Sequence, residues 1–193
     1  MEPALWPTLA DAAQVFDARG IKFALIGGLA VSLRGQPRMT VDVSVIILAD
    51  VDQALQLVRE LGSTPFEPLF PEVEEVVSRS YILPLRHRRT GIRVDVAIGM
   101  SGFEQQAVGR AVPVSIGDVR VPVAVTEDLL VMKALAGRPQ DEQDIRGLIA
   151  AQGAAIDWTQ CIALARQLGT AVDIDVAGRL EAARGRVRNP GRE

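Results

Sequence analysis

Phe23-Ala-Leu-Ile-Gly-Gly-Leu-Ala-Val-Ser-Leu-Arg-Gly-Gln-Pro-Arg-Met-Thr-Val-Asp-Val-Ser-Val45 is the stretch on which the reading of this chain turns. The apolar run Phe23–Ile26 stops at Gly27-Gly28, and Leu29–Arg34 has helical composition before Gly35, which predicts strand, tight turn and helix. A turn without Cβ atoms at the positive end of a helix exposes backbone N–H groups where a phosphate is held. A plain glycine turn fits the same letters. Further along, Val41, Val43, Val45 and Ile47 alternate with Asp42 and Ser44, so a strand sets Asp42 and Ser44 side by side on one face.

Ile92-Arg-Val-Asp-Val-Ala-Ile98 repeats the device, with Ile92, Val94, Val96 and Ile98 on one side and Arg93 and Asp95 on the other. An unpaired charge is costly to bury, so carboxylates inside β-branched runs need a cation, an arginine or solvent. Two bland readings stay open: a solvated sheet face, or an Asp95 that pairs with an arginine.

Taken in order, Gly27-Gly28-Leu-Ala-Val, Arg38-Met-Thr-Val-Asp-Val-Ser and Val94-Asp-Val resemble the nucleotidyltransferase superfamily related to DNA polymerase beta, especially its small bacterial abortive-infection and toxin-type members. The resemblance implies that Gly27 and Gly28 hold the phosphates of a nucleoside triphosphate. Asp42 and Asp95 become the first and third metal carboxylates, with Thr40 beside them and Arg38 either at the phosphate or in solvent. The family's second carboxylate is replaced here by Ser44. A neutral hydroxyl is a poor ligand for Mg²⁺ (or Mn²⁺), so the resemblance implies one nucleotide-bound ion on Asp42 and an impaired second site. In the helical stretch further on, Lys133 and Arg138 occupy the places of the family's phosphate-neutralising cations, with Asp141 and Asp144 as their orienting partners. Acids in a first helical turn also suit the dipole without any such role.

Composition sets the outer bounds. The chain has 193 residues, 48% hydrophobic and 23% charged, with a net charge of −3, so no global basic field points to bulk nucleic-acid binding. Cys161 and His87 are each the sole residue of their type, which excludes an internal disulfide framework and makes zinc ligation unexpected. No apolar run approaches the ~20 residues of a membrane span, and Met1-Glu-Pro lacks the features of a signal peptide. The expectation is a cytoplasmic protein that does not enter a membrane.

The remaining segments predict support. Thr8 and Asp11 suggest a capping box opening a helix that Gly20 stops, and Asp50 or Asp52 caps a helix over Ala54–Leu61. Residues 65–77, with Glu67, Glu72, Glu74 and Glu75, read as an acidic loop, the alternative being that one of these acids supplies what Ser44 lacks. Ser80–Leu85 and the Asp95 strand form a hairpin with a solvated basic tip at Arg86–Gly91, or a polyphosphate or RNA contact there. Val112–Ile116 and Val119–Val123 form an edge hairpin, marked by Pro113 and Pro122. From Thr126, read as a cap, the chain becomes helical. One helix begins near Gln140, another is capped by Asp157 and ended by Gly169, and the last runs from about Asp173 to Ala183 before a basic tail, residues 184–193.

The expected architecture is α/β: a nucleotidyltransferase-like mixed sheet flanked by helices over residues 1–125, with a helical region, residues 126–193, packed on it. Two functions follow. One is transfer of a nucleotidyl group from a nucleoside triphosphate to an acceptor hydroxyl on RNA, protein or a small molecule. The other is an inactive nucleotide-binding or partner-binding module of the same fold, for example opposite an antitoxin.

Overall fold

The computed structural model describes residues 4–188. Its elements in chain order are α1 (Leu5–Asp17), β1 (Phe23–Ile26), α2 (Gly27–Arg34), β2 (Asp42–Ile47), α3 (Val51–Glu60), β3 (Phe66–Pro68), α4 (Val73–Ser80), β4 (Ile82–His87), β5 (Arg93–Ile98), α5 (Gly102–Arg110), β6 (Val112–Ile116), β7 (Val119–Val123), α6 (Thr126–Ala136), α7 (Pro139–Gln152), α8 (Trp158–Val172) and α9 (Val176–Arg188). Among the described residues the strands form one mixed sheet in the order β3-β4-β5-β2-β1-β7-β6. The pairs β2–β5 and β1–β7 are parallel and the other neighbours antiparallel. The fold class is the expected one, a mixed α/β sheet flanked by helices.

The chain divides into two compact units. One comprises the described residues through Leu29 together with Met39–Ala124; the other comprises Ala30–Arg38 together with the described residues from Val125. In the first unit, alternation along β2 and β5 buries Val43, Val45, Val94, Val96 and Ile98. Leu9, Ala13 and Phe16 of α1 and Leu57 of α3 are buried with them, and the Phe16 and Phe23 rings stand 5.2 Å apart. The second unit buries Leu129, Leu130, Leu148 and Leu180 from α6, α7 and α9. There Arg179 closes the end of α6 by donating to the Ala134 carbonyl at 2.7 Å.

Several expected boundaries move. Helix α1 opens at Ala4 rather than Thr8, whose hydroxyl donates back to the Ala4 carbonyl inside the helix. Helix α2 begins at Gly27 itself. Residues 65–77 are not a loop: the buried Phe66 anchors β3, while Val73 and Val77, one turn apart and buried, anchor α4, with Glu74 and Glu75 in its first turn. Val125, not Thr126, caps α6. Helix α8 runs through Gly169 to Val172 and ends at Asp173 with a φ of +56°. Helix α9 includes residues 184–188, and the rest of the basic tail lies outside the described residues. Helix α5, capped by the box of Ser101 and Glu104, lies in a stretch for which the sequence pattern predicts no element.

The hairpin tip is also not fully solvated, because His87 is entirely buried. Its Nε2 bonds Asp11 Oδ2 at 2.9 Å and its Nδ1 meets Thr90 Oγ1 at 2.7 Å, tying the hairpin to α1. Among the described residues no helix is long and apolar enough to cross a membrane.

Candidate functional site

Register positions the acids. In the parallel pair of β2 and β5, Asp42 stands opposite Arg93 and Ser44 opposite Asp95. Because side chains alternate, all four lie on one face of the sheet, while Val43, Val45, Val94 and Val96 between them are fully buried on the other. On the far side of β2, Ser44 is opposite Ile26, the residue before the glycine turn. The first unit thus brings Asp42, Ser44, Asp95 and the start of α2 together.

Gly27 has a φ of +68°, and a Cβ there would stand 2.7 Å from Ser44 Oγ. Both facts demand glycine: left-handed backbone strains any L side chain, and Ser44 fills the space. The following helix carries no acid in its first turn and ends on Arg34, a charge of the sign that suits its dipole.

The carboxylates are lightly held. Asp42 Oδ1 accepts from Thr40 Oγ1 at 3.0 Å, and Thr40 is buried. Asp95 Oδ1 accepts from Arg93 Nε at 2.8 Å, in a pair whose side chains are 25% and 52% exposed. Among the described residues each acid keeps its second oxygen out of any hydrogen bond. No cluster of three or more His, Cys, Asp or Glu side chains capable of holding a metal occurs among the described residues. The donor set therefore fits one divalent ion that brings phosphate and water as its other ligands, and does not fit an ion pair bridged by protein acids. Glu67 makes no addition to it: it sits on the edge strand β3, beyond β4 and β5, and accepts from Arg88 at 2.9 Å.

In the second unit the remaining predicted residues form a chain of ion pairs. Arg38 grips Asp144 with two bonds, at 2.5 and 3.0 Å. Lys133 Nζ lies 2.8 Å from Asp144 and 2.9 Å from Asp141. Arg138 binds Asp141 through Nε at 2.7 Å, Nη2 at 3.1 Å and its backbone N–H at 3.1 Å. Lys133, Asp141 and Asp144 are buried, whereas the Arg138 side chain is 70% exposed. Burial alone would raise the Asp141 carboxyl, but hydrogen bonds from Arg138 and Lys133 overturn it and bring the group down to about 2. In the same unit burial pushes the Cys161 thiol up to about 12, reinforced by Glu127, Asp128 and Asp157, so this cysteine is not a nucleophile.

With this geometry in view, comparison with known proteins becomes decisive. The model of the family described as "Nucleotidyltransferase of unknown function (DUF6036)" matches residues 4–172. The chain belongs to this family. Among solved structures it is similar to an antigenic nucleotidyltransferase-like protein from Paracoccidioides brasiliensis, at 20% identity over 93% of each chain and a TM-score of 0.55. It also resembles the lincomycin-bound lincosamide antibiotic adenylyltransferase LnuA, at 14% identity over 77% of this chain and 96% of that one, with a TM-score of 0.51. These likenesses support the nucleotidyltransferase fold. No curated protein sequence matches the chain.

What sequence reading missed in this family member is the His87 network, because its partners Thr8 and Asp11 lie on another element, 79 and 76 residues away. The basic tip around His87 gave the opposite signal.

Proposed function

We propose that the protein binds a nucleoside triphosphate with one Mg²⁺ or Mn²⁺ and transfers the nucleotidyl group to an acceptor hydroxyl. The observation that carries this reading is the register placing Asp42, Ser44 and Asp95 on one face next to the Gly27 turn. The uncommitted oxygens of Asp42 and Asp95 would hold the divalent ion, which when bound draws charge from the phosphates and orients them for in-line attack. The phosphate oxygens lie towards the positive start of α2 in this reading. The acceptor oxygen bonds the α-phosphorus, pyrophosphate leaves with the bond electrons, and the hydroxyl proton passes to a carboxylate of the pair. Thr40 keeps Asp42 oriented and Arg93 does the same for Asp95. Arg38, Lys133 and Arg138 are paired with Asp141 and Asp144 in the second unit, and this reading assigns them no step.

Ser44 favours a second reading. The hydroxyl at the family's second acid position leaves the donor set short for a second ion, which fits a module that retains its nucleotide and acts through a partner, such as an antitoxin of the toxin-type branch. Incubation with labelled nucleoside triphosphates, Mg²⁺ or Mn²⁺ and a cell extract separates the two. Transfer by the wild type that Asp42→Ala abolishes and Ser44→Asp enhances supports the enzyme. Divalent-dependent binding in a calorimeter with no labelled product supports the module, and absence of binding overturns both.

A further inference from the structure

The same sheet face carries a feature that the acid pair does not use. On β4 and β5, Arg86 stands directly opposite Arg93, so two guanidinium groups occupy one cross-strand pair. Like charges so placed repel. Arg93 has an outlet in Asp95 Oδ1. Arg86 has none: the residue is exposed and its side chain makes no hydrogen bond or ion pair among the described residues. Glu67 is opposite it on β3, but bonds Arg88 through one carboxylate oxygen and makes no ion pair with Arg86. Arg89 of the hairpin is likewise turned to Asp11. One arginine of the basic hairpin is thus left without an anion, next to a second arginine that touches a candidate metal acid.

Strand order gives this pair a direction. Across the face run Arg86 on β4, Arg93 and Asp95 on β5, Asp42 and Ser44 on β2, and then the end of β1 leading into Gly27. The acids lie between the glycine turn on one flank and the arginines on the other. If the turn holds the triphosphate, the opposite flank is where the acceptor enters. Resting on the nucleotidyl-transfer reading, we propose that Arg86 and Arg93 form a phosphate clamp and that the acceptor is a phosphate-bearing molecule. Two forked donors about one cross-strand spacing apart, ~5 Å, match the oxygens of one phosphate group, and an anion there relieves the repulsion between them. The same pair disfavours a cationic acceptor, which would meet two positive charges before reaching the acids.

The test uses the full chain with a fluorescein-labelled decauridylate and, separately, ribose 5-phosphate as probes. The variants are Arg86→Glu and Arg59→Glu, an equal charge change on the exposed side of α3. Arg86→Glu is expected to weaken at least one probe about tenfold and, for the strand, to flatten the salt dependence of binding by about one unit, while Arg59→Glu stays within about twofold of wild type. Loss with the decauridylate assigns a nucleic-acid strand, and loss with ribose 5-phosphate alone assigns a small phosphorylated acceptor. Circular dichroism verifies the fold of each variant, and Arg86→Gln gives a milder substitution should the glutamate disturb it. If wild type binds neither probe, if Arg86→Glu binds as wild type does, or if Arg59→Glu weakens binding as much as Arg86→Glu, the clamp is overturned. Calorimetry with Mn²⁺ and a non-hydrolysable triphosphate runs alongside: retained nucleotide binding in that case leaves the transfer reading standing, whereas its absence in wild type overturns the reading and the clamp together.

Discussion

Asp95 and Asp144 each touch an arginine, yet their surroundings differ in kind. Asp95, in the first unit, leaves 25% of its side chain in solvent and commits one oxygen, to Arg93. Asp144, in the second, is 1% exposed and takes both arms of Arg38 as well as Lys133. A buried carboxylate persists as an anion when every lone pair finds a donor; a half-exposed one is tolerated by water and keeps coordination capacity in reserve. The difference teaches which acids hold the protein together and which are left available to a ligand.

Breaking the buried cluster should have the largest effect. Lys133→Met removes the cation shared by Asp141 and Asp144 and leaves two buried carboxylates partly uncompensated, at an expected cost of about 3–5 kcal/mol. Urea unfolding followed by circular dichroism measures it. A midpoint unchanged from wild type would mean that the cluster is no more structural than the acids of the sheet face.

The next effect tests the face where backbone, not charge, is constrained. Gly27→Ala forces a side chain into a φ of +68° and against Ser44, and should destabilise the protein by about 2 kcal/mol. Adding Ser44→Gly removes the contact but not the backbone strain, so a double-mutant cycle should recover roughly half of the loss. Full recovery would place the whole cost in the contact, and none would place it in the backbone.

Acid separates the two regions in another way. Asp141 is brought down to about 2 in the folded chain, below the ~3.9 of an unfolded aspartate. Its stabilising contribution is therefore complete above about pH 4 and is lost as pH falls toward 2, amounting to about 2 kcal/mol. Asp141→Asn should flatten the acid limb of stability against pH, measured by urea midpoints at a series of pH values. Asp141→Asn retaining the wild-type slope would show that other groups govern acid unfolding.

How much of this was readable beforehand follows range along the chain. The alternation from Val43 onward, the strand around Asp95 and the edge hairpin are local patterns that appear where they lie, whereas Val41 precedes β2 and is exposed, and the glycines open α2 directly instead of forming a separate turn. The Ser101–Glu104 capping box was equally local but went unread for want of an apolar stripe after it: Ala107 and Val108 are the buried residues of α5. His87 was illegible for a physical reason, since its burial depends on Thr8 and Asp11 of α1 and no local signal announces them. Lys133 sits between: the sequence places it one helix away from Asp141 and Asp144, but only packing shows that its charge is spent on both.

The smallest stability effect carries the functional weight. Asp42→Asn deletes a half-exposed charge beside Asp95 and retains a side-chain oxygen for Thr40, so stability should change by less than about 1 kcal/mol and in either direction. Divalent-dependent nucleotide binding, in contrast, should fall at least tenfold, because a neutral amide is a poor ligand for a hard cation. Calorimetry with Mn²⁺ and a non-hydrolysable triphosphate measures the second quantity and urea unfolding the first. An Asn variant that loses stability while keeping its nucleotide would reverse the comparison, making Asp42 a structural acid like Asp144 and moving the ligand site away from the sheet face.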